Sequence, residues 1–208
     1  MTKKNAIALL LLFCLGFLWA ETHLSISSGL SLSYASVGMD PLDGSMEMVS
    51  FSPAIGLDGV ATIGDRAFAV FAGVEVAYPF VLETKNNYGT SSTFLDFSYT
   101  LSSELGLGLL LFRKSRFTLF LGAGVANLFV NYTDEDDGLA YSAFGAAVAA
   151  QARFRLAPSI GLFAGINFAY YPTAFFFTST DETGSSDATD LFEYATGASA
   201  RLGIDLSL

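Results

Sequence analysis

The sequence predicts an all-β fold: an eight-stranded antiparallel up-and-down transmembrane β-barrel with a cleavable N-terminal signal peptide. Three observations predict it. Residues 67–82, AFAVFAGVEVAYPFVL, alternate with period two, the repeat of a strand. Apolar residues make up 52% of the 208, with mean hydropathy +0.49, yet only the first twenty residues hold a long unbroken apolar run. Eight alternating segments follow one another, and the gaps between them alternate long and short.

Segment 67–82 sets the scale. Phe68, Val70, Ala72, Val74, Val76, Tyr78, Phe80 and Leu82 form an apolar face with aromatics at both ends. The other face is mostly small, with Glu75 in the middle. Ten steps from Phe68 to Tyr78, at about 3.4 Å each and a tilt of about 40°, climb roughly 26 Å. That is the height of the apolar band on a membrane barrel, between its aromatic girdles.

Residues 1–20 read as a secretory signal peptide, and 21–208 as the barrel. Lys3 and Lys4 form the charged region, Ala6 to Leu18 the apolar core, and Leu18-Trp19-Ala20 the cleavage site. A lipoprotein signal on Cys14 would want a small residue before the cysteine, where Phe13 stands. Cleavage removes the one cysteine and two of ten basic residues, leaving 8 against 20 acidic ones, a net charge of −12. Such a charge excludes nucleic acid and a polybasic lipid-binding face. A single histidine excludes a histidine-based metal cluster, and no cofactor or metal is expected.

Strand one alternates Leu24, Ile26, Ser28, Leu30, Leu32 and Tyr34 against serines, Gly29 and Ala35. Strand two, about 48–62, shows Val49, Phe51, Ile55 and Leu57 on one face. Pro53 lacks an N–H, so a bulge is expected there, with the phase beyond it open. Strand four, about 94–111, sets Leu101, Leu105, Leu107 and Leu109 against Glu104, Gly106 and Gly108. Strand five, about 117–130, turns out Phe117, Leu119, Leu121, Ala123, Val125 and Phe129. Strand six, about 140–155, alternates Phe144, Ala146, Val148, Ala150, Ala152 and Phe154, although its alanine content also suits a helix. Strand seven presents Ile160, Leu162, Ala164, Ile166, Phe168 and Tyr170. Strand eight presents Phe192, Tyr194, Ala198, Ala200, Leu202, Ile204, Leu206 and Leu208.

The long gaps, about 38–47, 83–93, 131–139 and 178–190, are expected as exposed loops. Most are acidic, above all Asp134, Glu135, Asp136 and Asp137. The basic cluster Arg113-Lys114-Arg116 falls on a short turn. The large face of each strand suits lipid and the small face the axis, because the large faces of eight strands would overfill a small barrel.

Inward charges then matter, since a lumenal charge is costly unless paired or wet. Glu75, Glu104, Asn167 and Arg201 fall seven or eight residues from the short-turn ends, so they share one level. Arg201 is expected to bridge Glu75 and Glu104 and close the barrel at mid-height, with Arg153 and Asp205 lower. The other inward residues, including Gly29, Gly73, Gly122, Gly124, Gly161 and Gly203, are small, so water could thread the lumen.

The eight alternating segments, the N-terminal signal, the inward Glu75, Glu104 and Arg201, and the terminal stretch Arg201-Leu-Gly-Ile-Asp-Leu-Ser-Leu208 resemble the small eight-stranded bacterial outer-membrane barrels, the OmpA/OmpX/OmpW-like group. Many members end in phenylalanine; this chain ends in Leu208. The resemblance implies residence in the outer membrane with a periplasmic N-terminus, contact with lipid and the barrel-assembly machinery, and roles in adhesion, envelope stability or passage of small molecules.

No catalytic residues are expected. His23 lies at the mature N-terminus, where a flexible tail is the simpler reading, and Glu75 with Glu104 is better explained by pairing to arginine than by acid/base chemistry. The acidic run at 134–137 lacks the alternation and closing glutamate of a calcium loop. The sequence therefore favours a non-enzymatic, porin-like or adhesin-like surface barrel exposed through its four loops, structural or binding a host or cell-surface ligand. The alternative is a narrow passive channel for small solutes, gated by Glu75, Glu104 and Arg201.

Overall fold

Alternation along the chain becomes a closed ring. In the computed structural model, the described residues are 20–39, 44–63, 67–86, 89–94, 98–112, 115–133, 138–181, 184–187, 189 and 192–208. Eleven strands run β1 Ala20–Met39, β2 Gly44–Ile63, β3 Phe68–Ala77, β4 Val81–Asn86, β5 Gly89–Phe94, β6 Tyr99–Leu111, β7 Phe117–Thr133, β8 Gly138–Ala157, β9 Ile160–Asp181, β10 Gly184–Asp187 and β11 Phe192–Ser207. All pairings are antiparallel, and β1 pairs with both β2 and β11, which closes the sheet. β3 with β4 makes one wall and β5 with β6 the next, so the ring has eight walls, as the sequence predicts. The signal-peptide reading lies outside the described residues except for Ala20, which opens β1. His23 lies within β1, its backbone paired with Val60, and not on a free tail.

The alanine-rich stretch is strand β8, bonded on both edges to β7 and β9. A continuous ladder to β7 and an interrupted one to β9 outweigh the helix preference of alanine, which is roughly a few tenths of a kcal/mol per residue over other residues.

The bulge expected at Pro53 sits across from it. β2 pairs β1 through Leu30↔Pro53 without a break. On the other side Ala54 pairs Ala77 but Phe51 pairs Val81, so residues 78–80 carry one extra residue. Tyr78 N donates to the Pro53 carbonyl at 3.0 Å and Phe80 N to that of Phe51 at 3.3 Å. Pro53 lacks the donor that would complete its pair with Tyr78, and the partner strand with its own Pro79 takes up the irregularity. The phase of β2 therefore survives, with Phe51, Ile55 and Leu57 exposed on one face.

All four expected long loops shrink, the first because β1 runs to Met39 and β2 starts at Gly44. Residues 83–86 and 89–93 belong to the paired strands β4 and β5, β7 runs to Thr133 and β8 starts at Gly138, and β9 continues to Asp181 with β10 folding back on it. Asp134, Glu135, Asp136 and Asp137 lie outside the described residues, as do Arg113 and Lys114. Twenty residues of β2 span about 50 Å at the usual rise and tilt, twice the apolar band of roughly 25 Å. The walls stand well clear of the lipid.

Bulky residues face outward. Leu30 is 52% exposed and Ile166 51%, whereas Ser31 is 1% exposed. Val74 and Leu105 are likewise on the outside, and Tyr99 stacks on Phe129 in an aromatic girdle, centroids 5.5 Å apart. Two inward expectations need correction. The lumen is not small-lined throughout: Phe71, Phe120 and Phe163 point in, and the Phe71 and Phe120 rings meet edge to face, centroids 4.9 Å apart. The glycines make room for them, since a Cβ on Gly106 would stand 2.7 Å from the Phe71 ring and one on Gly122 2.5 Å from that of Phe120. Phe192, read as outward, packs instead against a core at the long-loop end formed by Val37, Met48, Val130 and Tyr141. The register slip at Gly38/Met39 reverses its face.

Candidate functional site

The lumen carries charge because its walls are small where long side chains must cross. Arg201 on β11 lies between Gly165 of β9 and Ser31 of β1, neither of which obstructs it. Its Nη1 donates to Glu75 Oε2 on β3, across the barrel. Both side chains are less than a fifth exposed, at 18% and 16%. The sequence placed Glu104 in the same bridge; the structure gives it a different partner. Asn167 on β9 donates from Nδ2 to Glu104 Oε1 on β6. The four residues share a level as two cross-lumen pairs, not as one arginine clasping two glutamates.

Below them runs a second tie that the sequence reading missed. Arg153 on β8 reaches Asp58 Oδ2 on β2 at 3.4 Å and donates to Ser25 Oγ on β1 at 2.7 Å. Ser27 Oγ donates to Asp58 Oδ2 at 3.3 Å. Asp58 shares the inward face of Ser52 and Ala54, a signal present in strand two and obscured only by the doubt over Pro53. Asp205, expected low in the lumen beside Arg153, lies on β11 between Ser27 and Gly161 and is 4% exposed. Its Oδ1 has no hydrogen-bond partner among the described residues.

Two cavities flank these ties. One of about 90 Å³ lies above Glu75, Glu104 and Asn167, roofed by Tyr132, Tyr141 and Tyr171. The other, about 80 Å³, lies at the short-turn end and is lined by Arg116, Thr118, Gln151, Arg153, Arg155 and Asp205 among others. Inward Asp58, Glu75, Glu104 and Asp205 face Arg153 and Arg201, with Arg116 and Arg155 further out at the short-turn rim. Among the described residues no group of three or more metal-ligating side chains occurs. The arrangement ties opposite walls together and obstructs the axis at mid-height.

No protein-family model matches the sequence, and the curated proteins offer no match. Solved structures do. Neisserial surface protein A aligns over 88% of this chain and 96% of its own, with TM-score 0.54 at 10% identity. The outer membrane protein OprG from Pseudomonas aeruginosa aligns over 89% and 95%, with TM-score 0.51 at 12% identity. A major outer membrane protein from Thermus thermophilus aligns over 87% and 99%, with TM-score 0.50 at 13% identity. At these identities the likeness is one of fold, and it covers nearly the whole of each chain. With its closed ring, apolar exterior and charged interior, the chain has the fold of the small eight-stranded bacterial outer-membrane β-barrels.

Proposed function

We propose that this chain is a non-enzymatic outer-membrane barrel with a sealed lumen, whose work is done by the tall walls and acidic rim at its long-loop end. The observation that carries this reading is the obstruction of the axis. The Arg201–Glu75 pair crosses it, Asn167–Glu104 crosses at the same level, and Arg153–Asp58 crosses below. Phe71 and Phe120 narrow the space beneath, and the core around Val37, Met48 and Tyr141 closes it above.

The start of β1 and the end of β11 sit with the short turns, where Ala20 pairs with Ile63 and Leu208 N donates to the Leu24 carbonyl at 2.9 Å. Short turns face the periplasm in barrels of this kind, which supports a periplasmic N-terminus and an exposed acidic rim. A structural or adhesive role on a host or cell-surface ligand fits that placement, with the barrel-assembly machinery and outer-membrane lipid as its partners in biogenesis.

Planar-bilayer recording tests the seal. The wild type is expected to show no steady current, and Arg201→Ala to raise the frequency of brief openings. A steady wild-type conductance would replace this reading with the passive channel.

A further inference from the structure

Pairing brings an unusual row of inward residues together at the short-turn mouth. Arg155 N donates to the Arg116 carbonyl at 2.7 Å, Arg155 pairs with Gly161, and Gly161 pairs with Asp205. Arg116, just before β7, and the neighbouring strands β8, β9 and β11 therefore present arginine, arginine, glycine and aspartate in sequence. Across the glycine the backbones of Arg155 and Asp205 stand two strand spacings apart, about 10 Å.

The gap is built and unfilled. Asp205 Oδ1 would lie 2.5 Å from a Cβ on Gly161, so it leans over the one position in the row without a side chain. That oxygen is without a hydrogen-bond partner, although Asp205 is only 4% exposed. Gln151 Nε2, on the same cavity, is also unpartnered among the described residues. Arg153, the nearest deep cation on this cavity, is already engaged with Asp58 and Ser25. Arg116 and Arg155 are exposed at the rim. A buried carboxylate oxygen left without a donor is costly, and about 80 Å³ is room for several waters or one very small molecule.

The order of the charges selects the class of ligand. A simple cation suited to Asp205 must pass two guanidiniums, and a simple anion drawn to the rim meets a carboxylate inside. A molecule with both poles satisfies each.

We propose that the short-turn mouth of the lumen is a binding slot for a small zwitterion, its ammonium on Asp205 above Gly161 and its anionic group on Arg155 and Arg116. The slot needs only the closed barrel; that it opens to the periplasm rests on the orientation given under the proposed function. Its unliganded competitor is Arg155 itself, which can swing inward over Gly161 toward Asp205.

The test uses the mature chain folded in detergent micelles and 4-aminobutyrate as probe, with butylamine and butyrate as single-pole controls, read by saturation-transfer NMR. The zwitterion is expected to bind at least tenfold more tightly than either control. Asp205→Asn and the rim variant Arg155→Gln are each expected to weaken it tenfold or more. Arg155→Gln lies at an exposed position, so its result stands even if the buried substitution impairs folding. Equal binding of butylamine, undiminished binding by both variants, or no binding would overturn the slot. A gel shift between unheated and boiled protein, run alongside, separates the failures: retained without binding, it overturns the slot alone, whereas its absence removes the barrel as well.

Discussion

Arg201 and Glu75, 126 residues apart in the chain, meet across the lumen and join β11 to β3. Neither strand pairs with the other in the sheet, so this contact adds a constraint that the ladders do not supply. Removing Arg201 leaves the Glu75 carboxylate, only 16% exposed, without its partner. Arg201→Met is expected to destabilise the barrel by about 3 kcal/mol, and Glu75→Gln in that background to restore part of the loss. Urea unfolding from lipid vesicles, followed by the gel shift, measures both; equal stability of all three proteins would show the pair to be energetically idle.

The packing of Phe71 on Phe120 is the apolar counterpart of that tie. Phe120 is 7% exposed, and its truncation to alanine is expected to cost about 3 kcal/mol. A loss well under about 1 kcal/mol in the same unfolding assay would mean that the lower lumen is wet and loosely filled, against a core-like site.

Close approach of β6 to β7 depends on glycine. A Cβ on Gly124 would stand 2.2 Å from the Leu105 carbonyl oxygen. Gly124→Ala is therefore expected to lower folding yield and stability, by roughly 1–3 kcal/mol as for overpacking. Gly165→Ala, where the nearest atoms are 3.6 Å away, serves as the tolerant control.

The exterior makes a separate prediction about lipid. Leu105 lies on the outward face within the apolar band, so Leu105→Arg is expected to cost about 2–4 kcal/mol on insertion into vesicles. Val49→Arg, nearer the long-loop end of β2, is expected to cost about 1 kcal/mol or less. Equal penalties at the two sites would contradict the placement of the band.

Period two, by itself, determined which side of each wall meets lipid, because a strand has only two faces and the bulky residues occupy one of them. It also brought Glu75, Glu104, Asn167 and Arg201 to one level, since counting from the short turns measures height. The sequence could not choose the partners. Arg201 took Glu75 while Asn167 took Glu104, and that choice depends on the stagger between strands, which no single strand records. Asp58 escaped notice for a related reason: the irregularity beside Pro53 could lie in either strand of the pair, and only the register showed that β3 and β4 absorb it. Phe192 turned inward through a bulge of the same kind. Alternation is a local property and was legible; cross-lumen contact and bulge placement arise when the ring closes, and the tertiary structure alone decided them.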